Sequence, residues 1–362
     1  MRSRGAVLVT GAAGFIGRHT VLGFHRAGYP VAAVDPRPAP GHLANAARWR
    51  NCDYADPGVL ADVAAGRYAT VVHQAGISDT RAPAEPELDE INVSGVLRLA
   101  EACRAGDARL IYASSHAVYG TLHDRAPIAE DADTDPTRCS GPLNPYAASK
   151  LDLDQQMRTR YHTGLSWVGL RYTNVFGPDE TDKGPMASIL SQLLRQAAAT
   201  GHIRLFDDTL TAARDYIPID IVIATIVQLA EQTVPAAVYN LGAGAAVPFA
   251  EVTQWCARLH HEATGGTSLC VELVPNPVPD AYQYFTCADM LAIDAVLPGR
   301  MSVSAALIEA RANELFDTFR RRPGSTCDPT RTRDRPGGPS GALIAPTGIG
   351  RSLGRRGGTD RR

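Results

Sequence analysis

Short β-branched apolar runs alternate with longer stretches of helical period through the first half of the chain. Residues 6–10 are such a run, followed by a glycine-punctuated turn and an amphipathic stretch that closes near Gly28. Residues 31–34, 70–73 and 109–113 repeat the pattern, each separated from the next by a helix-length segment. This βαβ rhythm predicts an α/β fold with a doubly wound parallel sheet and helices on both faces. Beyond Asn174 the rhythm loosens. Pro and Gly clusters break the chain, and strands such as 203–206 and 238–241 alternate with helices such as 220–232. The expected organisation is a large domain over residues 1–173, rejoined by part of 215–245, and a smaller α/β domain over 174–319. From about Arg320 the chain is Arg, Gly, Pro, Ser and Thr with almost no aromatics, so residues 320–362 read as a disordered basic tail. A polyanion-binding arm is the alternative.

Composition narrows the class without changing that picture. A chain of 362 residues can hold one large or two intimate domains, and 44% hydrophobic with 20% charged residues is ordinary for a soluble globular protein. A net charge of -2 argues against nucleic acid or a membrane surface as the main partner. The balance is uneven: eleven arginines and three aspartates from Arg320 onward leave the preceding residues at about -10. No apolar run approaches the roughly 20 residues of a membrane span, and the N-terminus runs straight into a strand, so the cytoplasm is the expected location. Seven cysteines without a CxxC pair read as reduced, buried thiols.

The turn after the first strand reads Thr10-Gly11-Ala12-Ala13-Gly14-Phe15-Ile16-Gly17. Gly11 suits a tight turn, Gly14 lets backbone approach a pyrophosphate, and Gly17 lets helix pack on strand. The helix N-terminus then offers N–H donors and a positive dipole end to phosphates. Asp35, at the end of the next strand, fits an acceptor for ribose hydroxyls and would repel a 2′-phosphate, whereas Arg37 would attract one. NAD is therefore the expected cofactor and NADP the alternative. Asp53 stands where an acid could meet the adenine amino group, or is simply a turn former or helix cap.

Tyr146 and Lys150 stand four apart at the start of a helical stretch and share one helix face. A lysine ammonium beside a phenol lowers the phenol pKa, so the tyrosinate can act as a base near neutral pH. Ser115, at the end of the 109–113 strand, supplies a hydroxyl donor to the same substrate oxygen. No metal site is expected: His260-His261-Glu262 lacks the histidine spacing of a zinc helix. Ser114 and Ser115 do not sit in a hydrolase elbow.

The glycine turn, Tyr112-Ala113-Ser114-Ser115 with Tyr119-Gly120, Tyr146-x-x-x-Lys150, and Arg171-Tyr172-x-Asn174-Val175-x-Gly177-Pro178 together resemble extended short-chain dehydrogenase/reductases of the NAD-dependent epimerase/dehydratase family. Lys183-Gly184-x-Met186-Ala187-Ser188, Arg214-Asp215, Asn240-Leu241-Gly242-x-Gly244 and Tyr282-Gln283-x-Phe285-Thr286-x-Ala288-Asp289 resemble the ADP-L-glycero-D-manno-heptose 6-epimerases in particular. The likeness spans residues 5–319. It implies a Rossmann sheet and a transient oxidation at a sugar carbon by tightly bound cofactor. Tyr146 and Lys183 would then be the two acid/base residues, with Lys150 and Ser115 supporting them. Phe15, Ile16, Asp35, Asn92, Lys150, Val175 and the segment Gln74, Ala75, Gly76 and Ser78 would lie at the cofactor. Asn174, Phe206, Arg214 and Tyr282 would lie at the nucleotide sugar, where a guanidinium fork suits a diphosphate. A homo-oligomer is the expected assembly.

Two positions depart from the family pattern. His116 follows Ser115 where a small residue is usual, which places an imidazole near the sugar, or else at the surface or in a supporting position behind the site. Pro185 replaces a serine. In 4,6-dehydratases an Asp-Glu pair occupies the places of His116 and Ala117, so elimination of water is not expected here. The competing readings are a 4-epimerase on a nucleotide-activated heptose or hexose, a dehydratase, a net reductase, and a catalytically silent nucleotide-binding regulator.

Overall fold

The computed structural model describes residues 5–321. The tail expected over 320–362 lies, from residue 322 on, outside the described residues. The first half of the chain runs β1 (Val7–Thr10), α1 (Phe15–Arg26), β2 (Val31–Val34), β3 (Arg48–Arg50), α2 (Pro57–Ala64) and β4 (Thr70–His73). It continues through α3 (Pro86–Asp89), a wider π-type turn (Glu90–Ser94), α4 (Gly95–Ala105), β5 (Arg109–Ser115), α5 (Pro145–Arg160) and β6 (Trp167–Tyr172). The second half holds β7 (Asn174–Phe176), α6 (Ile189–Thr200), β8 (His202–Phe206), β9 (Ala213–Pro218), α7 (Ile219–Glu231) and β10 (Ala237–Leu241). β11 (Ala246–Pro248), α8 (Phe249–Thr264), β12 (Cys270–Val274), α9 (Leu291–Val296) and α10 (Ala305–Arg321) complete it.

Seven strands form one sheet in the order β10-β6-β5-β4-β1-β2-β3, with every neighbouring pair parallel. Its inner strands are mostly apolar because both faces are covered, whereas the edge strand β3 is Arg48-Trp49-Arg50. Leu8, Val71 and Leu110 point into a cluster with Val59, Leu99 and Leu153 from α2, α4 and α5. Their neighbours Val7, Val9, Val72 and Ile111 point the other way, to Val21, Phe24 and Ile226 from α1 and α7. The expected Rossmann α/β architecture is the one the chain adopts. Smaller sheets, β11-β9-β7 and β12-β8, lie in the second half.

The order reverses between β1 and β4, so a crevice opens outside the carboxyl ends of those two strands. The groups described below come from the loops that leave β1, β2, β4, β5 and β7, from α5 and β6, and from β8, β9 and the segment after β12. At the far end, α10 buries Ile308, Ala312, Leu315 and Phe316 and continues through Arg320 and Arg321. The compositional boundary at 320 thus falls inside its last turn, where arginines suit the negative end of the helix dipole. The six cysteines among the described residues are free. No helix among them is long and apolar enough to cross a membrane.

Candidate active site

The loop after β1 is shaped by close backbone contact. Gly11 has φ +65°, and a Cβ there would lie 2.5 Å from the Ala75 nitrogen of the loop after β4. A Cβ on Gly17 would lie 2.0 Å from the Gly11 carbonyl oxygen, so neither position admits a side chain. Gly14 is the N-cap of α1, and no side chain caps that helix start. Arg18 instead braces the turn from behind, donating to the Ala13 and Gly14 carbonyls. An open helix N-terminus over a glycine cradle fits the pyrophosphate of a dinucleotide.

Asp35 is 2% exposed and accepts from the Ala13 and Arg37 backbone N–H groups at 3.0 and 2.9 Å. The Arg37 fork closes on its carboxylate at 3.0 and 3.1 Å. Burial pushes the Asp35 pKa up, but the Arg37 side-chain bonds, the two backbone donors and the Arg37 charge outweigh it and hold the carboxyl below its ordinary value. The two residues that favour opposite cofactors are therefore paired with each other. Asp53 is exposed and accepts from Ala55 N at 2.8 Å, which makes it a turn former, while the neighbouring Asp56 caps α2.

Asn92 organises the loop after β4. Its buried amide accepts from Ile77 N, donates to Ile77 O, and reaches Ser149 on α5 at 3.0 Å. Gly76 is squeezed between the Asn92 amide and Lys150: a Cβ would lie 3.0 Å from Asn92 Oδ1 and 3.5 Å from Lys150 Nζ. Gln74 donates to the Tyr172 hydroxyl at 3.0 Å, and its own buried Oε1 has no hydrogen-bond partner among the described residues. An orphaned acceptor in this loop, beside the glycine cradle, fits a bound polar ligand. Ala75 touches the cradle at Gly11, Ser78 is exposed, Ile16 is half-buried, and Phe15 and Val175 belong to the core under the loops.

The helix α5 begins with Pro145 behind Asn144, whose side chain caps it by accepting from Ala147 N at 2.9 Å. Tyr146 and Lys150 then fall on one face, as their spacing requires. Lys150 is 4% exposed and donates to the Ala113 carbonyl at 3.0 Å. Burial lowers its pKa to about 8, against the charge of Asp154. Ser115, the last residue of β5, hydrogen-bonds the Tyr146 phenol and accepts from Ala117 N at 3.1 Å. Burial raises the Tyr146 pKa, the Ser115 bond lowers it, and Asp154 raises it. The sequence points to Lys150 as the group that depresses the phenol. In the structure that part belongs to Ser115, because the ammonium is drawn to a backbone carbonyl.

Below α5 lies a buried polar network that spacing does not announce. Asp154, one turn beyond Lys150, accepts from Tyr112, Ser114 and Arg171 at 2.9, 2.9 and 2.8 Å. Arg171 is fully buried and also binds Tyr119 and Asp133, and Tyr119 passes on to Asn240. Buried charges persist only when paired in this way.

In the second half, Arg214 lies over the Tyr282 ring at 5.1 Å, and Tyr282 meets Phe206 edge-on at 5.8 Å. Asn174 joins this group from β7 by donating to the Asp215 carbonyl at 3.0 Å and to Thr286 at 3.2 Å. All four residues expected at the nucleotide sugar are thus half-buried neighbours. His116 is 2% exposed, which excludes the surface alternative. Its ring packs edge-on against Tyr119 at 4.9 Å. Neither ring nitrogen closes a hydrogen bond of good geometry, although the Cys287 backbone lies beside it. Burial lowers its pKa to about 4, so the imidazole is neutral. Lys183 follows β7 on another loop, with Nζ 5.7 Å from the centre of the Phe15 ring and 3.7 Å from buried Glu180. Among the described residues no cluster of His, Cys, Asp or Glu could hold a metal ion.

Comparison with known proteins shows what the chain and its fold resemble. The family model described as the NAD dependent epimerase/dehydratase family matches residues 7–242. An ADP-L-glycero-D-manno-heptose-6-epimerase from Brachyspira hyodysenteriae is 28% identical over 307 residues, covering 80% of this chain and 91% of that protein. The crystal structure of the Helicobacter pylori enzyme of the same name superposes with a TM-score of 0.74 at 26% identity, over 88% of this chain and 96% of that one. A Thermotoga maritima UDP-glucose 4-epimerase with UDP-glucose superposes with a TM-score of 0.71 at 25% identity, over 87% and 99%.

Proposed function

The chain belongs to the NAD dependent epimerase/dehydratase family, and on that premise we propose that it is an epimerase inverting C6 of a nucleotide-activated heptose such as ADP-heptose. The observation that carries this reading is that two proton-transfer groups are held by different elements. Tyr146 is bonded to Ser115 where α5 meets the end of β5, and Lys183 is held over Phe15 by the loop after β7. Inversion at an exocyclic carbon asks for two such groups. Once the hydroxyl has become a ketone, rotation about one bond carries the oxygen away from the group that took its proton.

The chemistry that NAD supplies when bound is removal of a hydride from the sugar carbon and its return within one turnover, which also calls for tight retention. Gly11, Gly14, Phe15, Ile16 and Gly17 would hold its pyrophosphate at the start of α1, and Asp35 would accept from a ribose. The Arg37 guanidinium is tied to Asp35, which supports NAD over NADP. Gln74, Ala75, Gly76, Ser78, Asn92 and Val175 would line the remainder. Tyr146 takes the hydroxyl proton, with Ser115 donating to the same oxygen and Lys150 steadying the helix start through Ala113. Lys183 gives a proton to the oxygen after rotation. Arg214 suits the diphosphate, Tyr282 and Phe206 offer ring faces, and Asn174 and neutral His116 offer hydrogen bonds to the sugar. Action in the cytoplasm, as a homo-oligomer, on a small-molecule substrate belongs to the same proposal.

A 4-epimerase is the second reading, favoured by the likeness to the UDP-glucose 4-epimerase, because a ring carbon can be presented from both sides to a single base. Incubation with ADP-heptose without added nicotinamide, following the epimer ratio, tests the first reading. Lys183→Met should then cost about 100-fold or more in turnover with little change in affinity. Near-wild-type turnover at saturating substrate would contradict the two-base C6 mechanism and transfer the assignment to C4.

A further inference from the structure

Glu180 has no place in any reading of the sequence, yet it is 1% exposed. The chain leaves β7 through Gly177, Pro178 and Asp179, the last in the left-handed region at φ +66°, which aspartate tolerates better than most residues. That turn sends Glu180 inward to the start of α6. There its carboxylate accepts from Ser188 N at 2.6 Å, from the Ser188 hydroxyl at 3.0 Å, and from the Ser191 hydroxyl. Ser188 is also the N-cap of α6, so the carboxylate sits at the positive end of that helix. Lys183 Nζ lies 3.7 Å from Oε1, the oxygen that accepts from Ser188 N.

We propose that Glu180 is a positioning residue for Lys183: it fixes the ammonium beside the Phe15 ring and holds it protonated, so that the second proton site begins each turnover as a donor. The inference rests on the role given to Lys183 above. Burial pushes the Glu180 pKa up, and the Lys183 charge and the hydrogen bonds from Ser191 and Ser188 oppose it and fix the carboxylate in place. A carboxylate fixed there, together with an aromatic face, would favour the charged form of the lysine. The other groups facing the pair do not compete for that role. From α1 come Phe15 and His19, and His19 bonds the Pro178 carbonyl at 3.0 Å, with its pKa lowered by burial. From the turn comes Asp179, whose charge acts on His19. From β9 comes Tyr216, fully buried, with a hydroxyl that has no hydrogen-bond partner among the described residues. Burial raises its pKa well above the ordinary value, so it stays neutral.

The test reads the protonation of Lys183 directly, by its rate of acylation with acetic anhydride against pH, followed by peptide mass spectrometry on the full-length protein. Glu180→Gln keeps the serine contacts and removes the charge. The labelling midpoint should fall by about one pH unit, a tenfold weaker hold on the proton, and the alkaline limb of turnover should move with it. In a Lys183→Met background Glu180→Gln should cost nothing further in turnover. A folded Glu180→Gln protein with an unchanged midpoint would overturn the proposal and leave Glu180 as a loop anchor. Should that variant not fold, the wild-type midpoint decides: above the ordinary lysine value of about 10.4 supports the proposal, at or below it overturns it. Labelling needs no turnover, so a chain inactive on ADP-heptose would fail the proposed function without deciding this inference.

Discussion

Tyr146 is asked to take a proton near neutral pH from a place that makes this difficult. Burial and the Asp154 charge both raise its pKa, and the Ser115 hydrogen bond opposes them. Ser115→Ala should therefore move the acidic limb of the turnover profile to higher pH and lower turnover at pH 7 by about tenfold or more, with affinity little changed. A limb that stays in place would show that Ser115 does not tune the phenol. His116 and His73 make a second prediction, because burial lowers their pKa values to about 4 and about 3. The unfolded chain binds those protons near pH 6.5. Their neutral forms thus contribute stability that is present above pH 6.5 and is lost as the pH falls toward 4 and 3, at up to about 1.4 kcal/mol per pH unit for each. In urea unfolding between pH 4 and 6.5, His116→Asn should flatten the slope of stability against pH by up to one proton. An unchanged slope would mean that the imidazole is already charged in the folded protein.

At the scale of elements, α5 presents Tyr146, Lys150 and Asp154 at four-residue steps, and Asp154 ties that face to β5 and β6. Replacing Arg171 with Met keeps much of the volume but leaves Asp154 buried without its cation, while Asp133 keeps Arg158 at 2.7 Å. The expected loss is about 3–5 kcal/mol in urea unfolding. A loss below about 1 kcal/mol would mean that the network is dispensable to the fold. The sequence reveals some of this and conceals the rest for physical reasons. β1, β2, β4, β5 and β10 were readable from their short β-branched apolar runs, whereas β6, Trp167–Tyr172, hides its signal behind Gly169 and Arg171. β3, with the sequence Arg48-Trp49-Arg50, and β7 and β11, also three residues each, are too short to carry a period. Tyr146 and Lys150 were legible because their partnership is local. Asp154 was not, since an acid one turn beyond a lysine looks like helix surface until Arg171 arrives on the adjacent strand. Glu180 was hidden in the same way by serines eight and eleven residues further on.

For the molecule as a whole, the sheet order places the glycine turn, the Asn92-clamped loop, the end of β5 and the Lys183 loop on the strand ends where this architecture binds ligands. The doubly wound parallel sheet was legible because βαβ alternation is a long-range pattern, while the strands of the smaller sheets were mostly not. The site was legible where a motif forces it, at the glycine turn and on α5, and less so where side chains meet only through the fold. His116 is the clearest case, since its burial against Tyr119 depends on contacts outside its own segment. The central claim is that one sugar carbon is oxidised and then reduced again without exchange with solvent and without loss of water. Mass spectrometry of the product formed from ADP-heptose in deuterated water, after hydroxyl protons are exchanged back, tests it most directly. An inverted product of unchanged mass, with no deuterium on carbon, is expected. Deuterium on the inverted carbon would show proton abstraction from carbon instead, and loss of one water would show a dehydratase; either result would contradict oxidation and re-reduction at one carbon.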